Sequence, residues 1–214
     1  MSPAPRPVST LPPSGVARFP VDRAGDAQLV AAAAKGDRAA MAAVWDRHAD
    51  FVRGVLHGAL GRDSAIEDLT QEVFLAFVRG AATVADGAKL RGFLAGVAVR
   101  LVAMEIRRRK VRRWLVLSPT GELPERGAGP HDSEGREVLA ALERVLSGMN
   151  QRRRMCFVLR HVQDMEMLEV AAALDISEST LRRELARARE HLLRATAREP
   201  ALAQYLASRG GMHD

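Results

Sequence analysis

The chain has 214 residues, a formal net charge of +6, 47% hydrophobic residues and one cysteine, Cys156. That length holds one large or two small folded units, and that apolar share excludes a wholly disordered chain. A lone cysteine excludes an internal disulfide framework, no apolar run approaches the roughly 18 residues of a membrane span, and the excess positive charge points to an anionic partner, nucleic acid or an acidic surface.

Residues 1–25 are rich in Pro, Gly and Ser and are expected to form a disordered extension. Pro3, Pro5, Pro7, Pro12 and Pro13 break the charged-then-apolar order of a signal peptide, so a soluble cytoplasmic protein with no membrane insertion is expected. Helical periodicity predicts helices over 26–34, 38–59, 64–79 and 87–113, within one unit at 26–116. In the third, Ser64 with Glu67 reads as a capping box, and Ile66, Leu69, Val73 and Phe77 form the core stripe. Its other face carries Glu67, Asp68, Gln71 and Glu72, with Phe74 and Leu75 beside them. The helix dipole accounts for acid in a first turn. An acidic rim beside an exposed aromatic also suits a protein-docking face, so local pattern leaves a solvated face and an interface both open.

The fourth helix shows a stripe of Leu90, Leu94, Val97, Leu101 and Met104, then runs into Arg107–Arg113. Residues 26–106 hold nine basic and ten acidic side chains, whereas those seven positions hold six cations, so the charge is concentrated there. A helix C-terminus welcomes a few cations, but like charges three and four residues apart repel, and an anionic partner would relieve them. A localisation signal or a membrane-surface patch are the blander alternatives. Trp114 is placed either to stack on a base or to pack in the core.

Ser118-Pro119-Thr120-Gly121 and Gly127-Ala128-Gly129-Pro130 mark a flexible linker at 117–135. A second unit at 136–198 follows, with helices predicted over 136–147, 151–162, 166–174 and 178–195 and a tail at 199–214. Leu168, Val170, Ala171 and Leu174 give a short apolar helix; Asp175-Ile176-Ser177 gives a tight turn. Asp175 tolerates a left-handed backbone, Ser177 is an N-cap, and Ile176 with Leu181 can close a hydrophobic staple. Leu181, Leu185, Ala188 and Leu192 form the buried stripe of the last helix, leaving Glu178, Ser179, Thr180, Arg182, Arg183, Arg187 and Arg189 on the outward side. This is a helix-turn-helix whose second helix suits a major groove, the alternative being a solvated helix in a bundle. Strand signals are nearly absent. The fold class is therefore all-α: two small helical domains on a flexible linker, the C-terminal one containing a helix-turn-helix.

Nothing points to catalysis. The six histidines are scattered with no metal-ligand spacing, Asp46 and Asp50 lack a third ligand, and Cys156 sits among Met155, Phe157 and Val158 as a buried thiol would. No catalytic residue, metal or cofactor is expected.

Three features in this order resemble one family: an acidic helix Asp-x-x-x-Glu-Asp-Leu-x-Gln-Glu-Val-Phe, a helix entering an Arg block, and a C-terminal helix-turn-helix ending Ser-x-Ser-Thr-Leu-Arg-Arg-x-Leu-x-Arg-Ala-Arg. The chain resembles bacterial RNA polymerase sigma factors of the sigma-70 family, extracytoplasmic-function group, over about 26–198. The resemblance implies a non-enzymatic subunit that binds core RNA polymerase and directs promoter-specific initiation. It implies that Glu67, Asp68, Gln71, Glu72 and Phe74 dock on the polymerase. It gives −10 recognition and melting to Arg100, Arg107, Arg108, Arg109, Lys110, Arg112, Arg113 and Trp114. Recognition of −35 duplex falls to Ser177, Glu178, Ser179, Thr180, Arg182, Arg183 and Arg187. It also implies an anti-sigma factor as a further partner. Phe93 stands where such proteins usually carry Trp, and Asp175 where the turn usually carries Gly. A stand-alone helix-turn-helix regulator binding duplex DNA is the alternative, but it gives no reason for the acidic helix or the Arg block.

Overall fold

The computed structural model describes residues 25–84, 89–115, 133–196 and 198, with side chains throughout except at 110–115, 133–139 and 196. The expected extension at 1–24, most of the expected linker and the tail beyond 198 lie outside the described residues.

The described residues form eight α-helices and no strand: α1 (Asp26–Ala33), α2 (Arg38–Leu60), α3 (Ile66–Gly80), α4 (Leu90–Leu115), α5 (Ser133–Ser147), α6 (Gln151–Phe157), α7 (Met167–Leu174) and α8 (Glu178–Thr196). A 3-10 turn follows α3 and a π turn, Val158–Val162, extends α6. The all-α expectation and all eight predicted helices stand. α5 begins at Ser133, inside the segment read as linker.

Local chemistry sets the ends. Gly36 turns the chain at φ 85° before α2. The Asp37 carboxylate then accepts from the backbone N–H of Ala39 (2.8 Å) and Ala40 (3.2 Å), satisfying donors that a helix start leaves unpaired. α3 departs from expectation. Its capping box does not form; the helix starts two residues late, at Ile66, with no side-chain cap, and the Asp63 carboxylate accepts from Ala65 N–H at 2.9 Å in the turn before it.

The core explains why these helices hold together. Val52, Val55 and Leu56 of α2, Val73 and Phe77 of α3, and Leu90, Leu94, Ala98 and Val102 of α4 are fully or almost fully buried. Each large apolar side chain so buried contributes about 1.5–3 kcal/mol. On α4 the buried line runs through Leu94, Ala98, Val102 and Glu105, and Met104 is half-exposed. The predicted stripe was therefore correct at Leu90, Leu94 and Val97 and wrong at Met104, because a straight helix carries position 104 past the contact with its neighbours.

The same core does not stop at the first unit. Met155, Cys156, Leu159, Met165, Val170, Ala171 and Leu181 belong to one apolar cluster with α1–α4. A smaller cluster of Ala141, Val145, Leu146, Met149, Phe157, Val158, Ala188 and Leu192 joins α5, α6 and α8. α6 and the π turn thus face two ways: Phe157 and Val158 join the smaller cluster, Met155, Cys156 and Leu159 join the one built on α1–α4, and Val158 also lies against Gly58 of α2.

Replacing Asp37 with Ala should lower stability by about 1 kcal/mol, whereas Asn at the same position should retain most of it. Urea denaturation followed by circular dichroism checks this; equal losses for both variants would remove the capping account.

Candidate nucleic-acid and protein interfaces

The turn between α7 and α8 is built as its residues foretell. Asp175 sits at φ 52°, ψ 52°, in the left-handed region. The N–H groups of Ile176 and Asp175 donate back to Ala171 (3.0 Å) and Ala172 (3.2 Å), the paired closure that ends a helix on a left-handed residue. The Ser177 hydroxyl then accepts from Thr180 N–H at 3.2 Å and lies 3.0 Å from the Ser179 hydroxyl. Leu181, Ala188 and Leu192 are buried as predicted. Leu168, assigned to the apolar face of α7, is instead 70% exposed.

That packing fixes what α8 shows to solvent. Ser177, Ser179, Arg182, Arg183, Arg187 and Arg189 are exposed, with Glu178 and Thr180 half-buried. The arginines differ in commitment. Arg182 holds Glu178 at 3.1 Å and Arg187 holds Glu184 at 3.4 Å, whereas Arg183 makes no ion pair among the described residues. Glu184 escaped the sequence reading. It is buried within the apolar stripe and holds Arg153 at 3.2 Å as well as Arg187. Its signal was a lone acid at a stripe position, three residues after Leu181.

On α3, Glu67, Asp68, Gln71 and Glu72 are exposed along one face, and Leu75 and Val78 continue it at 50% and 42% exposure. Phe74 is a correction. It is 6% exposed and packs on Trp45 of α2, ring centroids 4.6 Å apart, so it supports the face from behind. Trp45, unremarked in the sequence, orders this region further, since the Arg53 guanidinium lies over its ring and binds Glu67 at 3.0 Å. The apolar member of the exposed face is Leu75.

The Arg block also divides. Arg100, Arg107 and Arg108 are exposed. Arg109 is drawn inward: its guanidinium donates to both oxygens of Asp63, at 2.8 Å through Nη2, and to Glu105 at 2.7 Å. Glu105 is 8% exposed and also holds Arg108 at 2.9 Å. Hydrogen bonding to Arg109 holds both carboxyls below the usual carboxylate range and raises Arg109 further above its ordinary value. Arg109 therefore ties the loop before α3 to α4, and the guanidinium expected to contact −10 DNA is engaged by two carboxylates. Lys110, Arg112, Arg113 and Trp114 continue helix α4, but their side chains lie outside the described residues.

Among the described residues, no helix is long and apolar enough to cross a membrane and no group of His, Cys, Asp and Glu is arranged to hold a metal ion. The described residues form an all-helical structure with two separate exposed faces, an acidic-apolar one on α3 and an arginine-rich one on a helix-turn-helix. Comparison with known proteins agrees. The Sigma-70 region 2 model matches residues 44–112 and the Sigma-70, region 4 model residues 139–192, together more than half of the chain. The chain belongs to the sigma-70 family of sigma factors, as the motifs implied, and two of the relatives below are named as ECF RNA polymerase sigma factors.

It is 31% identical over 129 residues to the ferric citrate uptake sigma factor FecI of Escherichia coli (strain K12), covering 59% of this chain and 73% of that one. It is 29% identical over 169 residues to the ECF RNA polymerase sigma factor SigE of Mycolicibacterium smegmatis, covering 74% of this chain and 63% of that one. A third relative, the ECF RNA polymerase sigma factor BldN of Streptomyces coelicolor, is 26% identical over 163 residues, 75% of this chain and 62% of that one. The chain thus spans under two thirds of the length of SigE and BldN. The fold is shared with CnrH, solved in complex with the cytosolic domain of CnrY, at a TM-score of 0.60 and 20% identity over 81% of this chain and 98% of that one.

The Asp63–Arg109–Glu105 cluster makes a pH prediction. Both carboxyls have folded values below their unfolded ones. Their contribution is present above the ordinary carboxylate range, near pH ~4, and is lost as pH falls through the lowered folded values. Arg109→Met should reduce stability at pH 7 by about 1–3 kcal/mol, by leaving Asp63 without its cation and Glu105 with Arg108 alone, and should flatten the acid limb. Denaturation midpoints from pH 7 to pH ~3 check it; a parallel pH profile in the variant would rule out this network as the source.

Proposed function

We propose that this chain is a promoter-specificity subunit: it binds core RNA polymerase through α3 and promoter DNA through α8 and the basic end of α4. The observation that carries this reading is the occurrence of both family regions on one chain, each presenting an exposed face of suitable chemistry. A stand-alone helix-turn-helix regulator would need only the second region.

The chemistry is differential binding, with no reaction of the chain's own and no cofactor or metal. Asp68, Gln71, Glu72 and Leu75 form the polymerase-docking face; Glu67 borders it, held by Arg53, and Phe74 and Trp45 stiffen it from beneath. α8 enters the major groove of −35 duplex by its N-terminal end, where the short side chains of Ser177, Ser179 and Thr180 allow close approach. Arg183 is the best candidate to read a base, because its guanidinium need not first leave an acidic partner; Arg182 and Arg187 serve phosphates. At the −10 element, Arg100, Arg107, Arg108, Lys110, Arg112 and Arg113 hold unpaired strand, and Trp114, next in sequence, is the residue type to stack on a base. The site of action is the cytoplasm. FecI and SigE are named as sigma factors, and CnrH is solved with the cytosolic domain of another protein, CnrY; by analogy an anti-sigma factor is a further partner.

Run-off transcription with purified core polymerase and a promoter pool tests the reading as a whole. Specific transcripts dependent on the chain are expected; a chain that neither binds polymerase nor changes its start sites would overturn it. Reversing Asp68 and Glu72 to Lys should weaken polymerase binding at least tenfold with helicity unchanged, measured by pull-down and circular dichroism. Arg183→Ala should lose about 1–3 kcal/mol of −35 affinity and relax specificity at one base position. Arg182→Ala should lose less and lose it uniformly across sequences, which a binding-site selection assay distinguishes.

A further inference from the structure

α8 carries one residue that neither periodicity nor stability explains. Glu184 lies on its buried stripe, three residues after Leu181 and four before Ala188, both fully buried, and is itself 7% exposed. Its two carboxylate oxygens serve different elements. Oε2 accepts from Nε of Arg153 on α6 at 3.2 Å, and Oε1 accepts from Nη1 of Arg187, three residues further along α8, at 3.4 Å. A carboxylate in such a place is costly unless paired, and a well-packed apolar pair commonly serves a fold as well or better. Stability therefore gives no reason for an acid here.

Arg153 is a fixed anchor. It stands in the first turn of α6, where its backbone N–H donates to the side chain of the N-cap Asn150 at 2.9 Å, and α6 packs on α8. Glu184 is thus pinned from the α6 side, and Arg187 is tethered to a point that cannot swing. Arg182 differs. Its partner Glu178 stands at the open start of α8 and is only half-buried, so both side chains of that pair can follow a phosphate. Arg183 and Arg187, four residues apart and both exposed, repel one another, and Glu184 holds Arg187 against that repulsion.

The consequence falls on how duplex DNA is distinguished. A guanidinium free to move binds any phosphate within reach, and such contacts supply sequence-independent affinity. A guanidinium tethered to a buried carboxylate meets only a phosphate that arrives in one register. In any other register it must leave Glu184 with Arg153 as its sole cation. Misaligned complexes bear that cost and the aligned one does not, which is discrimination by penalty rather than by attraction.

We infer that Glu184 is a positioning residue that sets promoter discrimination: it holds Arg187 at one place on the α8 face and thereby weakens binding to non-matching duplex. The inference rests on the proposed function, which lays α8 in the major groove. Glu184 acts through Arg187 and touches no DNA itself.

Holoenzyme assembled from core polymerase and the full chain tests it, on the strongest promoter from the run-off pool and on the same duplex with its −35 element scrambled. Glu184→Gln keeps the shape and removes the charge. It should bind the scrambled duplex at least fivefold more tightly, hold the intact promoter within about twofold, and steepen the salt dependence on the scrambled duplex by about one counterion. Arg153→Met with Glu184→Met replaces the pair by apolar side chains, and should lose the same discrimination with its denaturation midpoint unchanged or raised. A folded variant of either kind with native discrimination overturns the inference. In an Arg187→Ala background, Glu184→Gln should change neither affinity; a further loss of discrimination there also overturns it. A native chain that selects no promoter counts instead against the proposed function. The salt dependence of the free chain on mixed-sequence duplex then decides whether Glu184 restrains Arg187, a steeper slope for Glu184→Gln supporting it and an unchanged slope overturning it.

Discussion

The structure depends on α2 having to bury more than one face. Its 23 residues contact α1, α3 and α4 and also α6 and the π turn behind it. A helix so enclosed offers little surface to polar side chains, and its buried residues, His48 apart, are accordingly small or branched: Ala40, Ala43, Val44, Ala49, Val52, Val55, Leu56 and Ala59. Small residues bring neighbouring helices close, and close approach makes α3 and α4 rigid supports for the surfaces they carry.

A second constraint acts on charge. Each family region buries one glutamate, Glu105 in the first and Glu184 in the second, and each holds two arginines. A carboxylate taken out of water needs such partners. In both regions one arginine of the pair is drawn toward the core, Arg109 in the first and Arg153 in the second, while the other, Arg108 or Arg187, stays exposed. The buried acid therefore sorts a run of chemically identical side chains into struts and contacts. An arginine-rich segment is read wrongly if every member is counted as a ligand for phosphate.

The proposed docking face on α3 shows the same division between buried support and outward side chains. Trp45 and Phe74 stack beneath it, Arg53 pins Glu67 at its edge, and Asp68, Gln71, Glu72 and Leu75 remain outward. The aromatic pair fixes the backbone, and the acidic side chains are left exposed to solvent.

Periodicity, caps and turn residues were legible in the chain alone, because they are set within a few residues: all eight helices, the left-handed Asp175, the Ser177 cap and the Leu181–Ala188–Leu192 stripe follow from spacing and side-chain chemistry. Motif order identified the family for the same reason. What the sequence could not decide depended on partners far along the chain. Asp63 claims Arg109 across 46 positions, Trp45 hides Phe74 across 29, and Val158 fits Gly58 only because two distant helices meet. Amphipathic pattern says that a face will be buried; only the tertiary packing chooses the neighbour, and with it which charges are left free.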